Sequence, residues 1–273
     1  MSKSKPSQPP QSTKDLTPGR MGYAFDWERL DELEERGSEA ELVLKHYRDA
    51  FPKFNTQADP LGVLKVFDQG MQGSCQGNAL AQVFSICYFL ATGRHETFSR
   101  SAGYYLAQKR DGISGDKGST LSGGQWVATQ HGICLESDWP YPQRYNPGMP
   151  PSANGKFNFK LKATKPLKDI DAMLAWLDSG LPIQTGLTWN STCDQEVVSN
   201  YSSRSGGGHS TVFWQRRASG NIVNINSWGT RWNGDGVHEW TIDSVKEALK
   251  GRWTVFIGYA PDGMSFPTPK PIS

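Results

Sequence analysis

The chain has no long hydrophobic run and almost no excess of either charge. No apolar stretch approaches the ~18 residues that cross a bilayer, and residues 1–20 are polar and proline-rich, without the apolar core of a secretory signal. The 29 Lys and Arg residues against 27 Asp and Glu leave a net charge of +2. We therefore expect a protein made in the cytoplasm that binds neither nucleic acid nor membrane.

Cysteine and histidine are also scarce. Four cysteines in 273 residues do not make a disulfide scaffold, so we expect reduced thiols throughout. The five histidines are dispersed, and no Cys-x-x-Cys or His-x-x-x-His spacing occurs, so we expect no metal site and no cofactor. Cys87 and Cys134 lie in apolar, periodic segments typical of a core, whereas Cys193 lies in a polar loop that allows exposure.

Apolar side chains are plentiful enough for a sizeable core. The chain is 36% hydrophobic and contains ten Trp, nine Tyr and twelve Phe, and its length suits one large domain or two lobes around a shared cleft. Residues 1–20 are typical of a disordered tail, 21–55 of a helical extension and 263–273 of a proline-rich tail. Between them, residues 56–150 favour helices and residues 151–262 favour strands, which predicts an α+β protein.

A helix is predicted directly after Cys75. Apolar residues at Ala79, Val83, Ile86 and Leu90 recur with the period of a helix that has one buried face. Cys75 would then lie at the helix N-terminus, where the partial positive charge favours a thiolate. Further helices are predicted at 101–109, 125–130, 169–177 and 243–250, strands at 182–189, 210–215, 222–226, 237–242 and 253–259, and a loop at 112–124.

Four residues that are far apart in the sequence form a candidate thiol site. A thiol is a poor nucleophile at neutral pH until a nearby base takes its proton. Cys75 follows Gln69 by six residues, His209 follows three glycines that permit close approach, and Asn226 begins an Asn-Ser-Trp-Gly run. Each residue alone would suggest a core cysteine, a surface histidine or a turn asparagine, but their combination favours catalysis. His131 is an alternative base.

Together these segments resemble the papain-like cysteine peptidases, especially the bacterial and archaeal members with few disulfides. Residues 69–75, 206–210 and 225–236 are similar to the family's glutamine, histidine and asparagine segments, in family order. His209 and Asn226 follow Cys75 by about the ~130–150 residues known for the family. The resemblance implies a papain-like two-lobed fold. Its left lobe would be helical (about 56–150) and its right lobe β-barrel-like (about 151–262), with a polypeptide-cleaving active site in the cleft between them.

The resemblance also implies a role for each residue of the site. Cys75 would be the nucleophile that forms a thioester acyl-enzyme, and His209 the general base and later the acid. Asn226 would orient His209, and Trp228 would shield the bond between them from water. Gln69 and the backbone N–H of Cys75 would form the oxyanion hole.

Substrate contacts are implied by weaker matches. Gly123 and Gly124 resemble the family's glycine strip that pairs with the substrate backbone, although a linker explains them nearly as well. Trp126 and Ser210 would lie near the pocket for the residue two before the cut.

The sequence also departs from the family. Gln72 stands where the family often has a disulfide-bonded cysteine, Gln76 replaces an aromatic residue after the nucleophile, and Gly208 replaces Asp or Asn before the histidine. These changes affect the expected substrate preference and pH optimum, and they remove no catalytic group.

Other functions fit the same residues. An acyl-thioester can be resolved by water or by an amine, so a deamidase, a transglutaminase or an isopeptidase would use the same triad. A non-catalytic binding protein on this fold is disfavoured because no triad residue is missing. A viral or bacterial effector role, with later export or delivery in a virion, fits such a chain as well. We expect residues 21–51 to pack on the catalytic domain.

Overall fold

The computed structural model describes residues 64–161 and 163–261. The predicted tails and the helical extension at residues 21–55 lie outside the described residues. Within the described ranges the helices of the first half precede the sheet of the second half, which gives the expected α+β architecture. None of the described helices is long and apolar enough to cross a membrane.

The first half is helical and is organised around α1 (Cys75–Thr92). All residues from Cys75 to Cys87 are buried, because α1 packs between α2 (Arg100–Asp111) and the sheet of the second half. The helix ends at Gly93, which adopts a left-handed conformation with φ of 67° and donates its N–H to the carbonyl of Phe89. The prediction of a buried helix that begins at Cys75 is confirmed.

A third helix occupies part of the predicted loop. The side chain of Thr120 accepts a hydrogen bond from Gly123 N and caps α3 (Leu121–Trp126), which continues into a π-helical turn (Val127–His131). The prediction of a loop at residues 112–124 is therefore wrong from residue 121 onwards. The Thr120 cap stabilises the start of this helix, whereas the glycine-rich composition of the segment favoured a loop.

The second half forms one mixed sheet. The elements are β1 (Ala163–Pro166), α4 (Ile170–Asp178), β2 (Ile183–Trp189), β3 (Val197–Val198), β4 (Gly207–His209), β5 (Val212–Arg216), β6 (Ile222–Ile225), β7 (Val237–Trp240), α5 (Ile242–Leu249) and β8 (Val255–Ala260). The strands follow the order β1-β8-β2-β5-β6-β7-β3, with β4 paired to β2, and all described pairs are antiparallel except β3 with β7. The described strands do not close into a barrel, so the expectation of a β-barrel-like lobe is corrected to an open sheet.

Buried side-chain amides and backbone bonds join the two halves. Gln184 of β2 donates from Nε2 to the carbonyl of Gln76 in α1 (3.1 Å), and the hydroxyl of Tyr259 donates to its Oε1 (3.1 Å). The backbone of Gln69 donates to the carbonyl of Ser227 (2.8 Å). The segment before α1 is thus hydrogen-bonded to the segment after β6, which fixes the start of α1 against the sheet.

All four cysteines are reduced and buried. Burial raises the pKa of Cys134 and of Cys193 to about 12, and it raises the pKa of Cys87 further. Cys87 and Cys134 lie in the core, as predicted. Cys193 is fully buried as well, so its polar surroundings in the sequence are misleading: the side chain of Asn190 caps the short 3₁₀ turn that contains it.

Candidate active site

Cys75 is the first residue of α1 and its side chain is fully buried. The first N–H groups of a helix have no partner within the helix, and together they give the N-terminus a partial positive charge. A thiolate at this position is therefore stabilised by the helix. The same backbone amides are suitable donors to a negative oxygen that develops beside the sulfur.

His209 and Asn226 form a direct hydrogen bond in the core of the site. His209 ends β4 and Asn226 follows β6, and the distance from His209 Nε2 to Asn226 Oδ1 is 2.8 Å. The Asn226 oxygen also accepts the backbone N–H of Ser227 (2.7 Å), so it acts as the acceptor and Nε2 of His209 carries the proton. In a neutral ring Nδ1 is then the basic nitrogen.

Nδ1 of His209 is buried and has no hydrogen-bond partner among the described residues. The ring itself is held by two tryptophans. Trp228 stacks on it, with ring centroids 4.8 Å apart and planes inclined by 30°, and Trp189 meets it edge-on at 4.8 Å. Burial lowers the pKa of His209 to about 4, although the bond to Asn226 acts in the opposite direction. The ring is therefore neutral at pH 7 and can accept a proton.

The side chain of Gln69 is held at both ends. Its Nε2 donates to the carbonyl of Gln72 (2.8 Å), and its Oε1 accepts from the hydroxyl of Ser227 (2.6 Å). The hydroxyl of Tyr141 donates to its backbone carbonyl (2.9 Å). These three bonds fix the position of the Gln69 side chain and backbone beside the start of α1.

Hydrogen bonds join the segments that carry the predicted catalytic residues where α1 meets the sheet. Gln69 is bonded to Ser227, the residue after Asn226. On the other side of the site, Gln184 Nε2 lies 3.1 Å from the carbonyl of Gln76 and 3.3 Å from Oγ of Ser210. Gln76 is the residue after Cys75, and Ser210 is the residue after His209. The four residues that the sequence singled out thus come from one segment of the first half, residues 69–75, and from two segments of the second half, at His209 and at Asn226.

The predicted substrate residues lie in different surroundings. Gly123 and Gly124 are in α3, and their N–H groups donate to the hydroxyl (2.8 Å) and the carbonyl (3.1 Å) of Thr120. Both N–H groups are therefore used within the chain, and pairing of this segment with a substrate strand stays a prediction. Trp126 is half-buried with its ring 5.2 Å from that of His131. Ser210 is fully buried.

Several polar residues that support the site were not found from the sequence. Gln72 donates from Nε2 to the carbonyl of Pro142 (2.6 Å) and accepts the hydroxyl of Tyr105 (2.9 Å) on Oε1. Asp116 accepts the backbone N–H of Gly73 (2.9 Å). The only signal in the sequence was that Gln72 occupies a position where the family often has a tethering cysteine. Within the described residues no cluster of His, Cys, Asp and Glu could hold a metal ion.

Comparisons with known proteins identify the family and the fold. A family model described as papain family cysteine protease matches residues 52–248. The crystal structure of xylellain, a cysteine protease from Xylella fastidiosa, matches with a TM-score of 0.66 at 22% identity, over 89% of this chain and 97% of that one. The bromelain protease from Ananas comosus, in complex with the E64 inhibitor, matches with a TM-score of 0.58 at 16% identity, over 72% of this chain and 93% of that one.

The proform of Amb a 11, a cysteine protease and major ragweed pollen allergen, matches with a TM-score of 0.58 at 17% identity, over 80% of this chain and 73% of that one. A search of curated proteins found no match. At these identities the structural likeness concerns the fold, whereas the family model covers most of the chain. The protein therefore belongs to the papain family of cysteine proteases, a family of cysteine-type peptidases.

Proposed function

We propose that the protein hydrolyses peptide bonds through a thioester acyl-enzyme, with Cys75 as nucleophile and His209 as general base and acid. The observation that carries the proposal is the bond from His209 Nε2 to Asn226 Oδ1. This bond leaves Nδ1 as the basic nitrogen of a buried neutral ring. A base of this kind at the junction with the N-terminus of α1 suits proton transfer from a thiol.

The proposed reaction has an acylation step and a deacylation step. Nδ1 of His209 takes the proton of the Cys75 thiol, and the sulfur attacks the carbonyl carbon of the substrate. The resulting oxyanion accepts hydrogen bonds from Nε2 of Gln69 and the backbone N–H of Cys75. The imidazolium then protonates the leaving amine as the C–N bond breaks, which leaves the acyl thioester. A water molecule, deprotonated by His209, attacks the thioester, and the tetrahedral intermediate collapses to release the acid and the thiol.

Two opposing effects decide the resting protonation state of Cys75 and His209. Burial disfavours the imidazolium form of His209, whereas the helix N-terminus favours the thiolate form of Cys75. A thiolate–imidazolium pair forms only where the two charges stabilise each other enough to offset the burial. In such a pair Cys75 is a thiolate at a pH where ordinary thiols, with a pKa near ~8.5, are protonated.

Selective alkylation tests the proposal. Limiting iodoacetamide at about pH 5, with the modified residue located by mass spectrometry, should label Cys75 far faster than the other three cysteines, whose pKa values burial raises. His209→Ala should remove the difference. Equal labelling of all four cysteines would contradict an activated thiol at Cys75.

A second test uses E64, the inhibitor bound in the bromelain structure. We expect it to modify Cys75 in the wild-type protein and to leave Cys75→Ser unmodified. Product analysis of a cleaved peptide, with and without an added amine, separates hydrolysis from acyl transfer. No feature of the described site favours transfer over hydrolysis.

A further inference from the structure

A small cavity lies between the two halves of the fold, directly beside Asn226. Its walls include Asn78 and Gln82 of α1 on one side and Thr211 and Asn226 on the other. It has room for about one water molecule. Its walls are partly polar, unlike those of the purely apolar cavities that stay empty.

Three of the lining residues carry buried side-chain atoms with no hydrogen-bond partner among the described residues. These atoms are Oδ1 of Asn78, both amide atoms of Gln82, and Nδ2 of Asn226. All three side chains are at least 97% buried. A buried polar group without a partner is costly, and most such groups in folded proteins are satisfied by protein atoms or by ordered water.

The orientation of two of these amides is fixed by their other bonds. Nδ2 of Asn78 donates to the carbonyl (2.9 Å) and the hydroxyl (3.0 Å) of Ser74, which leaves its oxygen as the unused atom. Oδ1 of Asn226 accepts from His209 and from Ser227 N, which leaves its nitrogen. The cavity is therefore flanked by one acceptor from α1 and one donor from the asparagine of the triad, with Gln82 able to supply either.

We propose that this cavity is a binding site for one buried water molecule that positions Asn226. The water accepts the Nδ2–H of Asn226 and donates to Oδ1 of Asn78, and it takes its third hydrogen bond from the amide of Gln82. This set matches the two to four partners that buried waters have. Asn78 and Gln82 are thus positioning residues, which act on His209 through the water and Asn226.

The consequence for the enzyme concerns the orientation of the Asn226 amide. With Nδ2 bonded to the water, Oδ1 remains directed at His209, so the proton stays on Nε2 and the lone pair on Nδ1. Without the water, Nδ2 would remain unpartnered unless the amide turned, and a turned amide would present N–H groups to the Nε2–H of His209. That arrangement would favour the wrong tautomer for a base at Nδ1.

A crystal structure of the wild-type chain at a resolution that shows ordered water tests the site itself. We expect one full-occupancy water within ~3.2 Å of Asn226 Nδ2 and Asn78 Oδ1. A cavity that has closed by direct contact between Gln82 and Asn226, or one without density, would overturn the proposal. This result does not depend on any catalytic activity.

Two variants at one position test the positioning role, which rests on the proposed function. Gln82→Met keeps the length of the side chain and removes both polar atoms, whereas Gln82→Glu, assayed at pH 5, keeps oxygen atoms at the cavity. We expect Gln82→Met to lose the water and about tenfold in kcat with little change in KM, below the ~10²-fold that a misplacement of about 1 Å costs. Gln82→Glu should retain both the water and most of kcat.

A purely packing role predicts the reverse order, because Met fills an apolar site better than Glu. Equal kcat for Gln82→Met and wild type, with the water absent from the variant, would overturn the positioning role. A wild-type chain without peptidase activity would refute the proposed function, while the crystallographic result would still decide whether the water site exists.

Discussion

A second buried histidine should make the stability of the protein depend on pH. His238 lies in β7, and burial lowers its pKa to about 4, with His209 adding to the effect and the bond to the Gln195 carbonyl opposing it. Its Nδ1 lies 3.1 Å from that carbonyl and must carry a proton to bond it, while Nε2 lies 3.0 Å from the indole nitrogen of Trp240, a donor, and 3.0 Å from Oδ1 of Asn224, an acceptor. A second proton would turn Nε2 from an acceptor of the indole N–H into a donor to Asn224, so burial of the charge is the main effect that disfavours the imidazolium.

The magnitude follows from linkage. In the unfolded chain a histidine has a pKa of ~6.5, so between pH 6.5 and 4 the unfolded chain binds a proton that folded His238 does not. The free energy of unfolding therefore falls as the pH falls through this window and levels off below pH 4. Over the whole window the free energy of unfolding falls by ~3.4 kcal/mol, at ~1.36 kcal/mol per pH unit. The part lost between pH 7 and pH 5 is about 2 kcal/mol.

Urea unfolding of wild type and His238→Gln at pH 7 and pH 5 measures this effect. The variant is expected to be less stable at pH 7 and to lose about 2 kcal/mol less than wild type on acidification. His95→Gln is the matched control, because it makes the same substitution at an exposed histidine. An equal loss in wild type and His238→Gln would refute the reasoning, since it would mean that folded His238 titrates as it does in the unfolded chain.

Three further predictions concern the catalytic site. Gln69→Ala should lower kcat by about 10²–10³-fold in steady-state kinetics, the usual cost of one oxyanion donor, and an unchanged kcat would contradict that role. Gln72→Leu should lower the free energy of unfolding by ~1–3 kcal/mol because the Tyr105 hydroxyl loses its acceptor. Denaturant unfolding measures this loss, which should be the same with and without reductant. Trp228→Ala should raise the pKa of His209 towards ~6.5 by admitting water, as NMR titration of the ring would show.

The elements that could be predicted from the sequence are those with local signals. The helix that begins at Cys75 has a regular apolar period. The strand at residues 183–189 is rich in β-branched and aromatic residues, and the strand at residues 222–225 is apolar except for one asparagine. By contrast, β4 (Gly207–His209) is three residues long and contains two glycines, and it is a strand only because it pairs with β2. A local sequence pattern does not indicate pairing with a strand that is distant in the sequence.

The candidate site shows the same division between local and distant signals. The roles proposed for Cys75, His209 and Asn226 rest on short motifs, and the bond between His209 and Asn226 agrees with that prediction. The sequence did not show what holds the loop before the nucleophile. Gln72 indicated only that a disulfide common in the family is absent. Its hydrogen bonds could not be predicted, because the partners of a buried amide depend on the tertiary structure.

Polar tethers hold this loop in place of the missing disulfide. Gln72 is bonded to Tyr105 and to the Pro142 carbonyl, Gly73 N donates to Asp116, and Ser74 is hydrogen-bonded to Tyr141. Three consecutive residues before Cys75 are thus tied to the helical half of the fold by bonds that no reductant can break. Since the backbone N–H of Cys75 and the side chain of Gln69 lie at the two ends of this segment, the same tethers set the geometry of the proposed oxyanion hole. A reductant therefore does not loosen this loop, whereas a disulfide at position 72 would have made its geometry redox-sensitive.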